Sequence, residues 1–101
     1  MEAEAVNPEK YAGLVRGIVT KIVDSPEEVE VTAVDRGRTT VVEVGVSPDD
    51  MGKVIGKAGR NIDALRSVTR AAGLVDHQRV HVELLETDED EDELEDAPEQ
   101  D

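Results

Sequence analysis

Residues 54–62 read Val54-Ile55-Gly56-Lys57-Ala58-Gly59-Arg60-Asn61-Ile62. Two glycines bound a two-residue turn, with an aliphatic pair before it, an isoleucine three places after it, and cations inside and just beyond it. Glycine opens backbone conformations closed to other residues, and without a Cβ it lets another backbone come close. Where such a turn feeds a helix, the free N–H groups and dipole of the first helical turn favour an anion. Lys53, Lys57 and Arg60 add positive charge. The direct physical reading is a phosphate-binding turn.

Two rivals compete with it. A nucleotide-binding P-loop needs four residues between Gly and Gly-Lys, then Ser or Thr, after a strand. Gly52-Lys53-Val54-Ile55-Gly56-Lys57-Ala58 has three residues between, alanine where the hydroxyl belongs, and a helical pattern before it. No ATP, GTP or other cofactor is therefore expected. The other rival is a plain turn with solvated charges, since glycine punctuates turns generally; the surrounding elements decide between them.

Working outward, Ser47-Pro48-Asp49-Asp50 carries a helix start signal, serine as cap and acids against the positive end of the dipole. Met51, Val54 and Ile55 give the short helix that follows an apolar face. After the glycine turn a second helix presents Ile62, Leu65, Val68 and Ala72 inward and ends near Gly73. Upstream, Asn7-Pro8-Glu9 starts a helix whose apolar face is Tyr11, Leu14, Val15, Ile18 and Ile22 and which stops at Asp24-Ser25-Pro26. Val29, Val31 and Ala33 alternate with polar residues, Asp35-Arg36-Gly37-Arg38 turns, and residues 39–46 form a second β-branched run, so a hairpin is expected. A last strand covers residues 79–85, with Val80, Val82 and Leu84 on one face and His81 and Glu83 on the other. The order helix, strand, strand, helix, helix, strand predicts an α+β fold with three helices on one face of a three-stranded sheet, the opposite face polar.

The chain has 101 residues with 25 acids against 11 Lys and Arg, a formal charge of −14, which argues against nucleic acid at first sight. Ten of the acids fall in residues 87–101, which contain no base. Residues 51–70 hold Lys53, Lys57, Arg60, Arg66 and Arg70 against the single acid Asp63. The charge is segregated into a near-neutral body with one basic window and a polyanionic tail. Three segments follow: a lead-in of residues 1–8, a domain of residues 9–86, and a tail of residues 87–101 too poor in apolar residues to order itself, read as disordered. The tail's charge serves solubility, or it folds back as a phosphate mimic over Lys57 and Arg60; the sequence leaves both open. There is no cysteine, hence no disulfide or thiolate metal site, and His77 and His81 lack metal-ligand spacing. No metal is expected. Neither an apolar run of spanning length nor a signal-peptide pattern is present, so a cytoplasmic protein without membrane contact is expected. Nothing pairs the carboxylates with a nucleophile, and no enzyme is expected.

The aliphatic pair, the Gly-Lys-Ala-Gly turn and Ile62, set between two helices, resemble the signature of the KH domain, a module that clamps about four nucleotides with this loop. A helix and two strands before the loop and one strand after it resemble the type II, prokaryotic arrangement. Residues 49–60, Asp-Asp-Met-Gly-Lys-Val-Ile-Gly-Lys-Ala-Gly-Arg, are similar to the string of the KhpA (YlqC-like) family of small bacterial proteins. The resemblance implies that Gly56, Lys57, Ala58 and Gly59 hold the backbone of single-stranded RNA while Val54, Ile55 and Ile62 floor an aliphatic groove for bases. Ile55 and Ile62 also fit ordinary core packing, and Arg66 and Arg70 fit either the backbone path or a solvated helix face. It further implies an RNA chaperone or post-transcriptional regulator that forms homodimers. A larger KH-containing protein, KhpB-like, is an implied partner in control of cell elongation or envelope synthesis. A protein-interaction adapter with RNA binding secondary is the alternative. The acidic tail departs from the short family pattern.

Overall fold

The computed structural model describes residues 7–86. Three helices, α1 (Glu9–Val19), α2 (Met51–Ile55) and α3 (Arg60–Val75), cover one face of a sheet of β1 (Glu30–Arg36), β2 (Thr39–Gly45) and β3 (Arg79–Leu84). The expected disorder of the tail concerns residues outside those described.

The strands lie in the order β1-β2-β3. β1 and β2 form the antiparallel hairpin, closed by the Arg36–Thr39 pair. β3 runs parallel to β2, from Thr39 against Arg79 to Val44 against Leu84. Parallel neighbours need a crossover, and α2 with α3 supplies it. Alternation puts Val31, Val42, Val44, Val80 and Val82 into the core, where they meet Tyr11 and Val15 of α1, Val54 of α2 and Leu65 of α3. On the opposite face Glu30, Thr32, His81 and Glu83 are exposed, as the alternation predicts.

α1 starts as expected, with Asn7 Oδ1 accepting the Glu9 N–H at 3.0 Å, but it ends at Val19 rather than at Asp24. Asp50 is the reason. The residue is 1% exposed, and its carboxylate accepts the N–H groups of Asp24 and Ser25 at 3.1 and 3.0 Å, drawing that segment off the helix axis. The acid read as a dipole partner for α2 thus anchors the α1–β1 connection. The buried face of α1 is Tyr11, Ala12, Val15 and Val19; Leu14, Ile18 and Ile22 are only half-buried.

α3 also departs from its sequence reading. Val68 is 45% exposed while Thr69 takes the buried position, its hydroxyl donating to Arg66 O at 3.0 Å. Gly73 is not the cap but an inner, buried residue of α3. A Cβ there would lie 2.6 Å from Gln78 O and 2.8 Å from a Val80 methyl, so glycine lets β3 return against the helix. The helix closes two residues later through His77, at φ +58°. Gln78 N–H donates to Gly73 O at 2.8 Å and His77 N–H to Leu74 O at 3.2 Å, the paired bonds of a Schellman ending. Asp76, beside this ending, accepts from Lys10 Nζ at 2.6 Å and from the Tyr11 hydroxyl at 2.5 Å, which ties α1 to α3. Those two hydrogen bonds hold its carboxyl below the usual carboxylate range. Burial, then the Asp76 bond, pushes the Tyr11 phenol up.

Candidate nucleic-acid interface

Between α2 and α3 the chain makes a 3-10 turn over Lys57–Gly59. Three positive φ values occur within four residues: Gly56 at +80°, Ala58 at +57° and Gly59 at +76°. The two glycines serve different ends. Gly56 combines φ +80° with ψ 169°, a region open essentially to glycine alone. A Cβ there would fall 2.7 Å from Asn61 Cγ and 2.8 Å from Asn61 N. Asn61 in turn donates through Nδ2 to Lys53 O at 2.8 Å, satisfying a carbonyl in the last turn of α2. Asn61 therefore clasps α2 and α3 around Gly56. Gly59, by contrast, has nothing within 4 Å of where a Cβ would stand, so the outer side of the loop is open to an approaching backbone.

Gly59 caps α3 with no side-chain bond, leaving the helix N-terminus open to an external anion. Lys57, Ala58 and Arg60 are exposed there. Among the described residues the ion pairs are Lys10–Asp76 and Lys53–Asp24, so Lys57 and Arg60 are paired with none of the described acids. Lys53 is the exception in the predicted set: its Nζ lies 3.2 Å from Asp24 Oδ2. The aliphatic residues divide as well. Val54 and Ile62 are 1% and 7% exposed and support the loop from the core, whereas Ile55 is 38% exposed and presents apolar surface outward.

Further along α3, a groove of about 740 Å³ lies between its outer face and the edge of β3. Arg66, Arg70 and Leu74 line one wall and residues 79–83 the other, with Glu83 as the acid. Arg66 Nε donates to Val82 O at 3.4 Å across it. Arg79 N–H donates to Arg38 O and Leu85 N–H to Val44 O, so the odd residues of β3 bond towards β2. In a parallel ladder the alternate residues Val80 and Val82 then turn their N–H and C=O groups to the free edge, as the Arg66 bond to Val82 shows. The sequence placed Arg66 and Arg70 on one helix face; Arg79, His81 and this free edge join them only through the crossover. Asn61 carried no signal beyond its place after the turn.

These features define the class: a type II KH domain, with its glycine loop between two helices and a parallel closing strand. A family model described as the KhpA/KhpB KH domain matches residues 12–84. The chain is 43% identical over 72 residues to RNA-binding protein KhpA of Caldanaerobacter subterraneus subsp. tengcongensis, spanning 71% of this chain and 96% of that one. It is 45% identical over 73 residues to RNA-binding protein KhpA of Halalkalibacterium halodurans, spanning 72% and 96%. Among solved structures it resembles Era in complex with MgGDPNP and nucleotides 1506-1542 of 16S ribosomal RNA, with a TM-score of 0.57 at 20% identity, over 79% of this chain and 30% of that one. At that identity the likeness is one of fold, and this chain spans less than a third of the Era chain. The chain belongs to the KhpA/KhpB KH-domain family. No helix among the described residues is long and apolar enough to cross a membrane.

Proposed function

We propose that this protein binds single-stranded RNA without catalysing a reaction, as an RNA chaperone or post-transcriptional regulator. The observation that carries this reading is the open, cationic glycine loop at the start of α3, the same helix that further on sets Arg66 and Arg70 along a groove with β3. In this reading the loop, through Gly56, Lys57, Ala58 and Gly59 with Arg60 beside it, takes the phosphates. Ile55 and Leu74 offer apolar surface to bases, and Val54 and Ile62 hold that surface up from beneath. The edge-facing N–H groups of Val80 and Val82 and the Val80 C=O, with Val82 O already accepting from Arg66, can meet base edges only when those edges are unpaired, which selects single strands. Tyr11, the chain's only Phe, Tyr or Trp residue, is buried, so base contact rests on aliphatic surface and hydrogen bonds, with His81 the one imidazole in the groove. The names of the relatives agree with this reading.

The family model spans KhpA and KhpB alike, and the proposal extends to pairing with a second copy or with a larger KH-containing, KhpB-like partner. Two linked loops would raise affinity for one RNA strand by effective concentration.

The test replaces Lys57 and Ala58 together (Lys57→Asp, Ala58→Asp). Both side chains are exposed, and aspartate tolerates the left-handed backbone that Ala58 occupies, so the fold is retained. Anisotropy titration of a labelled oligoribonucleotide at low salt is expected to show at least about tenfold weaker binding, the scale for reversing charge at a phosphate site. A folded double variant that binds as tightly as the parent would overturn the proposal.

A further inference from the structure

β3 and α3 run in opposite directions: Gly73 abuts Gln78 and Val80, and Arg66 reaches Val82. Four residues beyond Val82 is about 13 Å along a strand, which corresponds to about nine residues back along the helix from Arg66. The chain therefore passes residue 86 heading towards the N-terminal, loop-bearing end of α3. From that point it continues for fifteen residues, ten of them acidic, six of these consecutive at positions 88–93. Extended, that length reaches about 50 Å, against about 24 Å for the whole of α3.

We propose that the acidic segment of residues 87–101 docks back on the cationic groove of α3 and β3 and its loop, as a built-in competitor of RNA. Charge argues for this occupant over an unrelated one. Arg66, Arg70 and Arg79 line the groove against the single carboxylate Glu83, and no ion pair among the described residues engages them. An extended run of acids carries one negative charge per about 3.3 Å, as dense as the about 3.4 Å per phosphate along one strand of a duplex. Tethering just beyond β3, which forms one wall of the groove, holds the segment at an effective concentration in the millimolar range, so a weak contact suffices. The consequence is selective: loosely bound RNA is excluded, and RNA that also engages the loop and the β3 edge displaces the segment. Docking stands on charge and position alone; competition rests on the RNA reading above.

A nitroxide at Ala97→Cys tests docking without RNA, since the chain has no native cysteine. In the full chain it is expected to broaden the amide signals of Val80, Val82, Arg66 and Arg70. The broadening should vanish at about 0.5 M salt and when residues 88–93 are changed to Asn and Gln. Unbroadened groove signals in the full chain at low salt would overturn the inference outright. In parallel, the neutralised chain is expected to bind oligoribonucleotide about three- to tenfold more tightly than the parent at 50 mM salt, the two converging as salt rises. Broadening with unchanged RNA affinity would overturn competition. Broadening with no RNA bound by either form would sink the RNA reading and leave docking in place.

Discussion

Gly56 and Asn61 form the joint on which the glycine loop turns, and the two loop glycines are not equivalent. At Gly56 a methyl group meets both the side chain and the backbone of Asn61, on a backbone conformation nearly reserved for glycine. At Gly59 a methyl meets nothing and bears only the left-handed penalty. Gly56→Ala is therefore expected to destabilise the domain by about 2–4 kcal/mol and Gly59→Ala by about 1–2 kcal/mol. Urea unfolding of the pair checks the order, and equal losses would show that the Asn61 clasp is unimportant. The glycines themselves were legible from their spacing. That one packs against a side chain five residues on and the other faces open space was not, because both read as the same letter.

At the level of elements, the Asp76 junction shows how α1 is held to the rest. Its carboxyl is held low by Lys10 and Tyr11, so the folded state binds the proton less readily than the unfolded chain. The junction's contribution is present above about pH 4, the ordinary carboxylate range, and is lost as pH falls through the lower, folded value. Asp76→Asn is expected to lower stability at neutral pH and to flatten the decline of stability below pH 4; a parent-like acid limb in the variant would show that other carboxylates set it. Element order and type were readable from periodicity, but the ends and faces were less so. α1 stops early because Asp50, 26 residues away from Asp24, holds the amides that would extend it. Thr69 displaces Val68 from the core because its hydroxyl is satisfied within its own helix, which removes the cost of burying it.

For the whole molecule, the decisive property is that its charge is segregated: ten acids fall in residues 87–101, while Arg66, Arg70 and Arg79 meet along one groove. A net charge of −14 would repel RNA if it were spread evenly, yet the groove face is cationic. Three to five phosphates held by that face give an expected slope of log affinity against log salt of about −2 to −3.5. Measured on the chain with residues 88–93 neutralised, a slope near zero would show that phosphate contact is not what binds. The sequence by itself determined the element order, the two sheet faces, the glycine loop with its cations and the boundary of the acidic segment, because each depends on residues near one another in the chain. Only the tertiary structure decided that Arg79, His81 and the free edge of β3 stand opposite Arg66 and Arg70 and that Lys53 is drawn to Asp24. Those relations arise from a parallel crossover that sets residues far apart in the chain side by side, and no local pattern encodes which partners it will match.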